Sequence, residues 1–100
     1  MPGKISQAAT IVAVKDQVSC DLGDEAVILH CSGGIYYGLN PVGATVWRAL
    51  AKPKTLCELR ELVLQEYEVS PEQCSQDLDK LLDDLARAGL VEIHDTSSNP

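Results

Sequence analysis

One hundred residues carry 15 acidic and 8 basic side chains, a net charge of −7, and 45% of them are hydrophobic. That length fits one domain around one core, and the apolar share is too high for a disordered chain. The charge argues against a nucleic-acid partner, because phosphate binding draws on clustered lysine and arginine. No apolar run nears the ~20 residues needed to cross a bilayer, and residues 1–7 hold no apolar signal core, so a soluble, cytoplasmic protein with no membrane partner is expected.

Residues 1–10 lack a period and read as a flexible lead-in. From Ile11 the pattern turns strand-like, and Val18–Leu22 alternates apolar or small with polar residues before a Gly23-Asp24 turn. Ala26–Leu29, followed by His30 and Cys31, is a stronger β-branched strand. Ser32, Gly33 and Gly34 make a hairpin turn, since glycine supplies the positive φ that tight turns require. Ile35–Leu39 is the third strand of an antiparallel meander. Such a sheet is too small to stand alone and must pack one face on something else.

Asn40 and Pro41 read as helix N-cap and first helical residue. Val42, Val46, Trp47 and Leu50 give residues 41–51 one apolar face, and Lys52-Pro53-Lys54 ends that helix. Thr55 and Glu58 form a capping box for a second helix to about Glu66, with Leu56, Leu59, Leu62 and Val63 inward. Ser70 and Gln73 repeat that pattern, again with proline at the first helical position. The third helix, residues 71–88, is the longest and presents Cys74, Leu78, Leu81, Leu82, Leu85 and Ala88. Gly89 stands where a left-handed residue closes a helix. Leu90–Ile93 is a short final strand, and His94 to Pro100 is a polar, flexible tail.

The fold class is therefore α+β: an N-terminal three-stranded antiparallel sheet, three helices and a short C-terminal strand, in the manner of a small winged helix-turn-helix. A DNA-binding regulator of that shape would lay its third helix in the major groove. Here that helix carries Glu72, Asp77, Asp79, Asp83 and Asp84 against Lys80 and Arg87, a net of −3 that phosphate would repel. Fold analogy alone supports the DNA-binding alternative.

Enzymatic chemistry is no better supported. Gly33-Gly34 lies between strands rather than before a helix, so it is no phosphate loop. No serine or cysteine has a nearby histidine base, and Asp83 and Asp84 point about 100° apart on their helix. Cys20, Cys31, Cys57 and Cys74 make no Cys-x-x-Cys pair, so neither a metal nor a cofactor is expected. They read as small, partly buried thiols, and a disulfide is open to Cys20 and Cys31 if two strands set them face to face. What remains is an edge. The third strand has one neighbour in a simple meander, and Ile35–Leu39 holds neither the lysine nor the proline that usually blunts an edge. Either another strand docks there, or the third helix covers it while Tyr36 and Tyr37 pack on opposite faces.

Three blocks resemble a known family. Gly34–Asn40 (GIYYGLN), then Val42–Ala44 (VGA) and Trp47, followed by Asp77–Leu90 (DLDKLLDDLARAGL), are similar to the signature of PqqD-like proteins, the peptide-recognition domains of ribosomal peptide modification. The resemblance covers residues 11–93, and residues 16–22 bring it nearer the stand-alone members that serve lasso-peptide proteases than those of pyrroloquinoline quinone synthesis. It implies a non-enzymatic element that takes a precursor's leader peptide as an added strand and presents it to a maturation enzyme, a protease or a radical SAM enzyme. By position, the peptide-binding residues would be Ile35, Tyr36, Tyr37 and Gly38 on the strand and Asp77, Leu81 and Asp84 on the third helix. Asn40 and Trp47 would be structural, and the chain a monomer or homodimer.

Overall fold

The computed structural model describes residues 5–94. Strands β1 (Thr10–Ala13), β2 (Gln17–Leu22), β3 (Glu25–His30) and β4 (Ile35–Leu39) precede α1 (Pro41–Ala49). A two-residue strand β5 (Lys54–Thr55), α2 (Leu56–Glu66), α3 (Pro71–Arg87) and β6 (Val91–His94) complete the chain. The strands form two sheets, ordered β5-β1-β6 and β2-β3-β4. The second is the expected meander.

The first sheet corrects the expected order of three strands, three helices and one strand. Thr10 pairs with both Thr55 and His94, and Ala13 pairs with Val91, so β1 bridges the start of α2 and the end of the chain. Residues 5–10 are no loose lead-in: Ala9 is fully buried, Ile5 packs against the core, and the Leu56 N–H donates to the Ala9 carbonyl at 2.9 Å. The expected flexibility of residues 1–4 and 95–100 lies outside the described residues.

The helix ends follow their local chemistry. Asn40 Oδ1 accepts the Gly43 N–H at 2.8 Å, and Thr55 and Glu58 exchange both hydrogen bonds of a capping box. At the end of α3, Gly89 has φ +77°. The Leu90 N–H reaches the Leu85 carbonyl at 2.9 Å and the Gly89 N–H reaches that of Ala86 at 3.0 Å, a Schellman motif that turns the chain into β6.

The core lies between the helices and one face of each sheet. Ile28 and Ala26 of β3, Trp47 of α1, Leu59 of α2 and Leu82 and Leu85 of α3 are all buried in it. Three expectations about side chains fail. Leu62 is half-buried at a surface cleft beside Cys57 and Ala49, while Leu64 packs against the core instead. The β2–β3 register sets Cys20 opposite Val27, midway along the strand pair, and brings the Cys31 N–H to the Asp16 carbonyl beyond its end, so the two cysteines do not face each other. Cys20, Cys31 and Cys57 are exposed rather than partly buried; Cys74 alone is buried, and its thiol donates to the Arg60 carbonyl.

Candidate functional site

Among the described residues β4 has one strand neighbour, β3, paired from Ala26↔Leu39 to His30↔Ile35. Its other side is an open row of backbone donors and acceptors. Side chains alternate across a strand, and Ile28, opposite Tyr37, is fully buried. Ile35, Tyr37 and Leu39 therefore share the face toward the helices, whereas Tyr36 and Gly38 share the outer face. Exposure follows this geometry at one end only: Leu39 is buried and Tyr37 half-buried, but Ile35 is 59% and Tyr36 71% exposed. Helix α3 thus leaves the beginning of the edge uncovered.

Strand β4 and α3 run alongside each other in opposite directions. His30, the partner of Ile35, lies against Gly89 at the helix's end. Tyr37 meets Asp84, and Asn40 shares a cleft with Asp77 and Leu81. The Tyr37 hydroxyl is pushed above its ordinary pKa, first by burial and then by the charge and hydrogen bond of Asp84. This contact ties the strand to the helix midway along the edge.

The cleft of about 340 Å³ opens beyond that tie. Its walls are Leu78 and Leu81 of α3, Val42 at the start of α1, Val63 of α2 and Val69 ahead of α3. Asp77, Lys80 and Asp84 stand at its lip, where Lys80 Nζ lies 3.4 Å from Asp84 Oδ2 and Gln73 donates to Asp77 at 2.8 Å. Burial holds the Cys74 thiol, also in the lining, above its ordinary pKa, so it is a neutral wall group. The result is an apolar pocket with an acidic rim at one end of an open strand.

Of the seven residues named from sequence, Asp77, Leu81 and Asp84 line this one cleft, and Tyr37 joins it through Asp84. Ile35 and Gly38 lie on the edge outside it. Tyr36 points to the face away from α3 and does not enter the groove as a side chain. Asn40 caps α1 and also lines the cleft, and Trp47 is 7% exposed in the core. Sequence reasoning missed Val42, Val69 and Lys80. For Val69 a signal was present: an apolar residue just before the Ser70 cap, with Cys74 four residues inside, is a hydrophobic staple that sets both on one side of the helix start.

An exposed strand edge flanked by a helix and an apolar cleft defines a small α+β domain with a surface shaped for an extended chain, and among the described residues no group of His, Cys, Asp or Glu could hold a metal ion. Residues 25–91 match the model of the family described as coenzyme PQQ synthesis protein D (PqqD), and the chain belongs to that family. It is similar in structure to TbiB1, solved in complex with the TbiA(beta) leader peptide, with a TM-score of 0.76, 33% sequence identity, and coverage of 81% of this chain and 94% of TbiB1. It also resembles a lasso peptide synthetase B1 complexed with the leader peptide, at TM-score 0.70 and 20% identity, over 82% of this chain and 96% of that one. No curated protein sequence matches the chain.

Proposed function

We propose that this domain binds the leader segment of a ribosomally synthesised precursor peptide by strand addition at β4 and presents it to a maturation enzyme. The observation that carries the reading is the open β4 edge beside the α3 cleft, in a fold shared with two proteins solved with leader peptides. Backbone pairing along Ile35–Leu39 supplies general affinity and register, and the cleft selects a side chain. Ile35, Tyr37 and Gly38 line the paired segment, Tyr36 contributes backbone, and Asp77, Leu81 and Asp84 meet the peptide's side chains. An extended leader is disordered when free, so part of the contact energy offsets its ordering. Once bound, the tethered remainder of the precursor is held at raised effective concentration for the enzyme, a protease or a radical SAM enzyme.

The domain, residues 11–93 with residues 5–10 packed onto them, acts here as a cytoplasmic binding module rather than a catalyst. Among the described residues no helix is long and apolar enough to cross a membrane. DNA recognition through α3 has poor electrostatics: Arg87 and Lys80, its two cations, are spent on Asp83 at 3.1 Å and Asp84 at 3.4 Å. Titration with the TbiA(beta) leader peptide and, separately, with generic duplex DNA at physiological salt tests the proposal. Saturable leader binding that perturbs β4 amides is expected, with no DNA binding in the micromolar range. DNA binding without leader binding overturns it.

A further inference from the structure

The hairpin turn that launches β4 is held by side chains, not by backbone pairing alone. The Gly33 N–H donates to His30 Nδ1 at 3.0 Å, and the Ser32 N–H donates to Asp16 Oδ2 at 3.2 Å. The Gly34 N–H closes the turn on the His30 carbonyl at 2.7 Å, with Gly34 at φ +67°. Fit is tight on the turn side: a Cβ on Gly33 would lie 2.9 Å from His30 Nδ1, whereas one on Gly89 would meet Nε2 at an ordinary contact distance of 3.5 Å. His30 thus sits between the turn and the end of α3, with its side chain 23% exposed.

We propose that His30 is a positioning residue for the recognition edge: its imidazole, accepting the Gly33 N–H at Nδ1, fixes the 31–34 turn beside the end of α3 and so sets where Ile35 and the first rungs of β4 stand. The proposal rests on the peptide-binding reading above. Chemistry makes the position sensitive. A ring that accepts at Nδ1 carries its proton on Nε2, so a side chain without an acceptor at that position leaves the Gly33 N–H without this partner. The ionisable group facing the ring is Asp16, whose Oδ2 lies 3.9 Å from Nε2; the turn and the α3 end approach it with Ser32, Gly33 and Gly89, which bring no charge.

Three variants of the full chain separate this role from a merely structural one. His30→Asn keeps an acceptor near the Nδ1 position, His30→Phe keeps a ring and has no acceptor, and Gly33→Ala displaces the ring. Affinity for the TbiA(beta) leader, amide protection factors of residues 33–37 and global stability are measured on each. Relative to the wild type, leader affinity is expected to fall about three- to tenfold in His30→Phe and Gly33→Ala, the worth of one hydrogen bond, with protection lost near the turn. His30→Asn should rescue both affinity and protection. Wild-type affinity and protection in His30→Phe, or losses in His30→Asn equal to those in His30→Phe, overturn the proposal. If the wild type does not bind the leader, the peptide-binding reading is what fails, and the protection factors still decide the role of His30.

Discussion

Leu81 and Leu85 are one helical turn apart, about 40° around the helix, yet the structure assigns them opposite tasks. Leu85 is fully buried under the sheet, whereas Leu81 is half-buried and lines the cleft. Truncating Leu85 to alanine removes three buried carbons and leaves a void, at a cost of about 2–5 kcal/mol. That is a large share of the roughly 5–15 kcal/mol that holds a small domain together. Leu81 has already gained part of its transfer energy in the free fold. Full burial of a leucine is worth about 1.5–3 kcal/mol, so about half of that, near 1 kcal/mol, remains to be gained when a peptide covers it. Leu81→Ala should then weaken leader binding about five- to tenfold while costing the fold about 1 kcal/mol. Urea denaturation and leader titration on both variants read the two quantities separately. If Leu81→Ala unfolds the domain as severely as Leu85→Ala while affinity of the folded fraction is unchanged, the cleft is not the groove.

Other outcomes follow from the same geometry. Asp77→Asn and Asp84→Asn should lower affinity for a leader bearing lysine or arginine opposite the cleft, with a loss that shrinks as salt is raised; a salt-independent loss would point to geometry rather than charge. Both Asp16, through Ser32, and Glu58, through Thr55, hold depressed pKa values because backbone and side-chain donors favour the carboxylate. A depressed folded-state pKa gives stability that is present above the unfolded value and lost as pH falls through the folded one, so acid denaturation in Asp16→Asn and Glu58→Gln should shift less steeply below about pH 4.5 than in wild type.

What was legible in the sequence was local. The β3–β4 hairpin, the three helix caps and the Gly89 closure each depend on residues within a few positions of one another, and each stands where its chemistry places it. The β5-β1-β6 sheet was not legible, because Thr10 finds its partners 45 and 84 positions away and β5 is only two residues long. Register decides what composition cannot: the pairing of Gln17 with His30 sends Cys31 past the end of β2, and a period of two sends Tyr36 to the opposite face from Tyr37. The cleft was half legible. Its α3 wall follows from helical spacing, but Val42 and Val63 come from helices whose crossing no local pattern fixes.

An open edge strand invites self-pairing as readily as it invites a peptide, and β4 carries none of the usual defences against it. Here the defence is long-range. Each chain has a net charge of −7, and the α3 flank beside the edge adds Asp77 and Asp84 to any approaching copy. Repulsion between two such surfaces reaches about 10 Å at 0.1 M salt but only about 3 Å at 1 M, less than the spacing of paired strands. A short leader meets far less of this field, and one with basic residues is drawn in. Sedimentation velocity across that salt range should therefore show a monomer at low salt and growing self-association at high salt, reversed by dilution. The TbiA(beta) leader, added at high salt, should compete with the association because it occupies the same edge. Association that weakens with salt, or that the bound leader leaves untouched, would place the contact on another surface and leave the openness of β4 to be explained by something other than charge.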